Sequence, residues 1–210
     1  MVAAWLDRFL YRHPFEGASA RRYATAERPA FGGLDDRLLD GLAGALAGAR
    51  RLLDLGAGPQ TLAARAAARF PALAVIALDP SRDFARARAG VAAVRAAGEA
   101  LPLGDAAIDV AICVSSIRHV RDRAATLREL RRVVRGTLVI VELDPEAEPA
   151  RIAAHASRLG SPLLRRAFGP LVVRTAPPAA AITALARRAG WQLAGRRDDP
   201  EQPVYVLELR

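Results

Sequence analysis

Residues 52–61 read LLDLGAGPQT. A short apolar run containing Asp54 delivers the chain to a turn with Gly56 and Gly58, and an Ala-rich stretch with helical spacing, TLAARAAARF, begins at Thr61. Glycines in such a turn remove the side chains that would keep a ligand off the backbone. The N–H groups that follow sit at a helix N-terminus, where negative charge is favoured. Asp54 adds a carboxylate near the strand's end. A strand, glycine turn and helix also describe the dinucleotide fingerprint G-x-G-x-x-G, but Thr61 stands where its third glycine belongs. Taken alone, the segment fits a glycine turn in any α/β protein as well as a ligand loop.

Working outward, the same rhythm repeats. LAVIALD at 73–79 reads as a strand, SRDFARARAG at 81–90 as a helix and VAAVRAA at 91–97 as a weaker strand. IDVAICVSS at 108–116 is a strand, RDRAATLRELRRVV at 121–134 a helix and TLVIVEL at 137–143 a strand. Upstream, a helix spans 34–49, and its opening acids Asp35 and Asp36 suit a helix N-terminus. Continuous apolar strands alternating with helices predict a parallel sheet covered on both faces, an α/β doubly wound fold. In the C-terminal third, 146–160 reads as a helix, 161–178 is punctuated by Pro and Arg, and 178–191 is a helix stopping at Gly190. WQLAGRR and PVYVLELR, joined by DDPEQP, predict a hairpin. The sheet is then Rossmann-like, seven-stranded and mostly parallel, with an antiparallel C-terminal strand. No linker divides residues 1–210, which read as one domain. Residues 1–35 concentrate Trp5, Phe9, Tyr11, Phe15, Tyr23 and Phe31 and are read as a lid or cap; 146–178 are read as a substrate-side insertion.

Composition narrows the classes. No apolar run reaches the ~18 residues of a membrane span, and the N-terminus lacks the order of a secretory signal. The expectation is a cytoplasmic protein with no membrane partner. Cys113 is the single cysteine, so neither an internal disulfide nor a zinc site can be built on thiols, and its apolar setting predicts an inert side chain. A net charge of +9 points to an anionic partner. However, the chain has Arg but no Lys and no Asn, and is very rich in Ala, a pattern of codon bias. The arginines are also spread over several helices. Nucleic acid is therefore a possible partner but not the favoured one. Oligomeric state is not legible.

A second segment, VIALDPS at 75–81, places Asp79 at the end of the next strand, about twenty residues beyond the glycines, where nucleotide-binding domains hold the acid for ribose hydroxyls. Alternatively, Asp79 or Ser81 caps the following helix. A third segment is GEALPLGDAAIDVAICVSSIRHV at 98–120. The order of glycine turn, strand-end Asp, E-A-L-P-L, D-V, S-S and H-V resembles the class I S-adenosylmethionine-dependent methyltransferases. It is most similar to their small-molecule branch, the type 11 family. LRELRRVVRGTLVIVELDP at 127–145 resembles that family's next block, and the likeness covers about residues 20–145.

The resemblance implies S-adenosylmethionine as cofactor and S-adenosylhomocysteine as product. Asp54, Gly56, Ala57 and Gly58 match the loop that holds the methionine part. Asp79, with Pro80, matches the acid on the ribose. Glu99, Ala100 and Leu101 match the turn along the adenine, and Ser115 and Ser116 the strand end beside the sulfonium. His119 falls in the block lining the substrate mouth and is the best-placed general base; the alternative is an ordinary polar residue at a strand–helix junction. His13 lies in the lid, where Tyr11, Tyr23 and Arg28 could also reach a ligand, and His155 in a surface helix with no assigned role. Four departures stand out. Gln60 replaces the glycine usual after GAGP, Ala97 an acid before the adenine turn, and Arg118 a common His. Arg135–Gly136 shortens a Pro-Gly-Gly turn. The implied function is methyl transfer to a small-molecule acceptor by in-line displacement at the sulfonium. The alternatives are an RNA or protein methyltransferase using the Arg-rich surface, a non-catalytic cofactor-binding subunit and, more distantly, a nicotinamide dehydrogenase.

Overall fold

The computed structural model describes residues 15–18, 20, 32–159, 162–174 and 176–210. Trp5, Phe9, Tyr11, His13, Tyr23, Arg28 and Phe31 of the expected lid lie outside the described residues. Seven strands form one sheet: β1 (Arg51–Leu55), β2 (Ala74–Asp79), β3 (Val91–Arg95), β4 (Ile108–Val114), β5 (Val134–Leu143), β6 (Leu193–Asp198) and β7 (Val204–Leu209). Their order is β3-β2-β1-β4-β5-β7-β6. Strands β1 to β5 pair in parallel, and β7 runs antiparallel to both β5 and β6. The doubly wound sheet and its C-terminal hairpin are those expected.

The central strands are apolar on both faces because both faces are covered. Leu52, Val75, Ile112 and Val141 point into a core shared with α1 (Leu34–Gly41), α2 (Ala43–Ala47) and α3 (Thr61–Arg69). Their neighbours Leu53, Leu78, Cys113 and Ile140 point into a second core with α4 (Arg123–Val133), α7 (Ala179–Arg188) and Trp191. The period-two alternation places each set on its own face.

Several elements differ from the sequence reading. The helix expected over 34–49 breaks at Leu42 (φ −106°, ψ 2°), which separates α1 from α2 while Leu38, Leu39, Leu42 and Leu46 stay buried. Residues 81–90 are not helical. Asp79 Oδ1 accepts from Ser81 N at 2.8 Å, Ser81 Oγ accepts from Asp83 N at 3.2 Å, and Gln60 Nε2 donates to the Phe84 and Arg86 carbonyls. Side chains have taken the backbone groups that a helix would pair, so turns form instead. Arg135–Gly136 is no turn: α4 runs directly into β5. A Cβ on Gly136 would collide with the Asp109 carbonyl, so glycine lets β5 approach β4 where their register slips between Ile108 and Val110.

The helix expected over 146–160 is α5 (Pro149–Ser157), opened by a proline at the position where a missing N–H costs nothing. The unassigned stretch after it folds as α6 (Pro162–Ala167) and a π-turn (Phe168–Val173) that contains Pro170. Proline's absent N–H favours the wider turn, and such turns often mark functional sites.

Candidate active site

β1 and β4 are neighbours whose connections leave in opposite directions, so a crevice opens beyond their C-terminal ends. A cavity of about 510 Å³ fills it, within the range of small-molecule sites. Its walls are the glycine loop, Asp79–Ser81, 97–99, 114–116, 118–121, and the apolar side chains of Phe15, Phe168 and Val172.

The loop is built from left-handed residues: Gly56 at φ 70°, Gly58 at φ 51° and Gln60 at φ 60°. Gly56 N and Ala57 N donate to the Leu78 carbonyl at 2.7 and 3.1 Å, which folds the end of β1 against β2. Asp79 Oδ2 accepts from Gly58 N at 2.9 Å, while Oδ1 serves Ser81. Asp79 caps no helix, because residues 81–90 form none, but it does line the cavity. It organises the turn after β2, and each oxygen keeps lone-pair capacity on the cavity side. Burial raises its pKa, opposed by the two backbone N–H groups. Asp54 is buried and also lines the cavity.

Ser115 ends β4 in a left-handed conformation (φ 49°), with its N–H on the Val141 carbonyl at 2.7 Å. Its buried Oγ has no hydrogen-bond partner among the described residues. The Ser116 hydroxyl is spent: it donates to the Leu55 carbonyl at 2.7 Å and lies 2.9 Å from Cys113 Sγ. Burial pushes the Cys113 thiol up to about 12, so it stays protonated and inert. Glu99 Oε1 accepts from Arg121 N and Asp122 N at 2.8 and 3.1 Å, closing the wall onto α4. Ala100 and Leu101 do not line the cavity. Leu101 is a core residue whose N–H is held by Glu129, and Ala97 and Gly98 supply the wall instead.

These residues fit the cofactor implied by the sequence. Asp79 offers acceptors for ribose hydroxyls, Asp54 a carboxylate for an ammonium, and Ser115 an orphaned hydroxyl beside the glycine N–H groups. The missing side chain of Gly56 lets the loop pack directly against Ser116 at the cavity wall.

Four sets of contacts around the cavity were not legible in the sequence. Gln60 is buried, and its amide bridges the Phe84 and Arg86 carbonyls at 2.6 and 2.8 Å, pinning the Phe84 wall to the glycine loop. His155 is buried rather than on a surface helix; it bonds Gln202 and stacks on Phe168 at 4.6 Å, propping that wall. Arg118 donates to the Val172 carbonyl at 2.7 Å, tying the π-turn to the cavity, and stands 3.7 Å from fully buried Glu142. His119 meets Phe15 edge-on at 5.0 Å. Burial, then Arg118 and Arg123, lower its pKa to about 4.

Two expected results follow. Gln60→Ala loses two bonds to buried carbonyls and keeps the strained φ, costing about 2 kcal/mol. Gln60→Gly loses the same bonds but relieves the φ strain, so it is more stable than the alanine variant by about 1 kcal/mol in denaturant titration. Desolvation pushes the Glu142 carboxyl from 4.5 up to about 7, opposed by Arg118. A raised folded pKa gives stability that is full below pH 4.5 and lost as pH rises through about 7. Glu142→Gln has no such titration. Over that interval the wild type should lose on the order of 3 kcal/mol relative to it, read as unfolding midpoints against pH.

A family model described as a methyltransferase domain matches residues 53–140. The ubiquinone/menaquinone biosynthesis C-methyltransferase of Syntrophotalea carbinolica is 33% identical over 115 residues, covering 50% of this chain and 48% of that protein. The demethylmenaquinone methyltransferase of Roseiflexus castenholzii is 31% identical over 160 residues, 67% of each chain. The match thus spans about half of the first relative and two thirds of the second. Among solved structures, a SAM-dependent methyltransferase from Aquifex aeolicus superposes with TM-score 0.70 at 14% identity, covering 91% of this chain and 96% of its own. The magnesium protoporphyrin IX methyltransferase of Synechocystis, with bound SAH, gives 0.67 at 16% identity, covering 97% and 98%. These two likenesses establish the fold.

Proposed function

The chain belongs to the class I S-adenosylmethionine-dependent methyltransferases, and from that premise we propose that it passes the cofactor's methyl group to a small, ring-shaped acceptor. The observation that carries this reading is the change of character along the cavity. Beyond Ser115 the walls are Leu143, Phe168, Val172 and Phe15, with His119 and Arg118 as polar groups among them. An apolar slot with two polar points suits a flat ring bearing an oxygen. The names of the two curated relatives, both methyltransferases of quinone compounds, support it.

When bound, S-adenosylmethionine supplies an electrophilic methyl on a sulfonium, open to in-line displacement. The chain's part is positioning and exclusion of water, which can supply several kcal/mol of a barrier. Asp79 and the glycine loop hold one end. Phe15, Phe168 and Val172 close the other from solvent. Arg118, fixed by Val172 and Glu142, places positive charge where an acceptor oxygen gains negative charge. His119 stays unprotonated at neutral pH, so its free nitrogen accepts a hydrogen bond from the acceptor and directs it at the methyl. A pKa near 4 makes it a weak base.

The test incubates the protein and cofactor with hydroquinones, phenols and small amines, and separately with total RNA and protein, reading methylation by mass spectrometry. The expected result is methylation of a ring acceptor. His119→Ala should lower kcat about 10- to 100-fold with KM little changed. It should do so equally from about pH 5.5 to 8, because the lost imidazole does not titrate there. Methylation confined to RNA or protein contradicts the reading.

A further inference from the structure

We propose that the face formed by α5, α6 and the π-turn docks this protein on an anionic lipid surface. Residues 149–197 contain nine arginines and no Asp or Glu, although the chain as a whole carries 22 acids. Codon bias explains Arg in place of Lys, but it does not clear a 49-residue stretch of acids. Within the stretch, Arg158, Arg165, Arg166 and Arg174 are exposed and fall on consecutive elements that pack together. None forms an ion pair among the described residues. This contrasts with Arg37, Arg65, Arg69, Arg132 and Arg135, each of which faces an acid.

Leu163 decides the kind of partner. It stands 76% exposed on α6, two residues before Arg165 and three before Arg166. An exposed aliphatic side chain among arginines that face no acid among the described residues is the pattern of an interfacial segment, with the leucine in the acyl boundary and the cations on the headgroups. A nucleic-acid surface would offer aromatic rings for base stacking. Here the large apolar side chains that stand exposed among the described residues are both leucines, Leu163 and Leu193. The sequence expectation of no membrane partner rested on the absence of a spanning segment, which does not bear on a surface contact.

The face also sits beside the cavity. The π-turn that α6 leads into supplies Phe168 and Val172 to the cavity wall. Docking would therefore bring the apolar end of the cavity to the lipid boundary, whichever acceptor is used.

The test is co-sedimentation with vesicles of phosphatidylcholine alone and of phosphatidylcholine with phosphatidylglycerol, at low and high salt, with a structured RNA as a parallel probe. The variants are Leu163→Ser and the charge reversal Arg165→Glu with Arg166→Glu. Calorimetric binding of S-adenosylhomocysteine, or unchanged thermal unfolding, certifies that each variant is folded. The expected result is salt-sensitive binding to the anionic vesicles alone. It should weaken at least about 10-fold in the charge reversal and several-fold in Leu163→Ser. Absence of wild-type binding to anionic vesicles, binding that both variants leave unchanged, or charge-dependent binding to RNA without binding to vesicles would each overturn the proposal.

Discussion

Asp79→Ala should reduce affinity for S-adenosylhomocysteine at least about 100-fold while leaving a folded protein. The substitution strips partners from Gly58 N and Ser81 N, which Asp79 holds at 2.9 and 2.8 Å, and so loosens the loops on either side of the cavity. It also removes the carboxylate acceptors that we propose for the nucleoside's ribose hydroxyls. Hydrogen bonds to a charged group contribute about 1.5–3 kcal/mol each, and two such losses correspond to roughly 100- to 10,000-fold. Asp79→Asn keeps the shape but has one acceptor oxygen for two backbone N–H groups, and it turns a donor toward one of them. Its loss should be smaller, about 10- to 100-fold. Calorimetric titration of both variants reads the order directly.

Gly56→Ala should be the most damaging single methyl in the site. Gly56 sits at φ 70°, and an added Cβ would stand 2.9 Å from Ser116 Oγ and overlap the Ser116 Cβ. Ser116 cannot swing aside, because Leu55 and Cys113 hold its hydroxyl. Overpacking against a pinned neighbour together with a left-handed alanine should cost about 3 kcal/mol or more, and cofactor binding with it. Adding Ser116→Gly should recover the steric part and leave about 1 kcal/mol of backbone strain. Gly48→Ala, where an added Cβ meets nothing within 4 Å, is the control and should change the denaturant midpoint little.

The sheet was legible because both its faces are buried, which makes β1, β2, β4 and β5 continuous apolar runs. The glycine loop and Asp79 were legible because a turn in left-handed backbone restricts the residues that can form it. Local patterns failed where the deciding partner was distant in sequence. Residues 81–90 read as a helix, but Gln60, more than twenty residues earlier, binds the Phe84 and Arg86 carbonyls. His155 looked solvent-facing until Gln202 and Phe168 enclosed it. Glu142 read as one more residue in an apolar strand, although it stands 3.7 Å from Arg118, which lines the cavity. Of the block Glu99, Ala100 and Leu101, only Glu99 lines the cavity, beside Ala97 and Gly98, because resemblance fixes a block and not which of its residues face inward. The π-turn has no helical or strand periodicity, so no pattern announced that Phe168 and Val172 wall the cavity.

The most direct test of the central claim, that this cavity is a nucleoside-sulfonium site, is calorimetric titration of the wild-type protein with S-adenosylmethionine, S-adenosylhomocysteine and NAD in turn. The account predicts saturable one-to-one binding of the first two and no binding of NAD. No heat with either sulfur nucleoside, or equal binding of NAD, would contradict it.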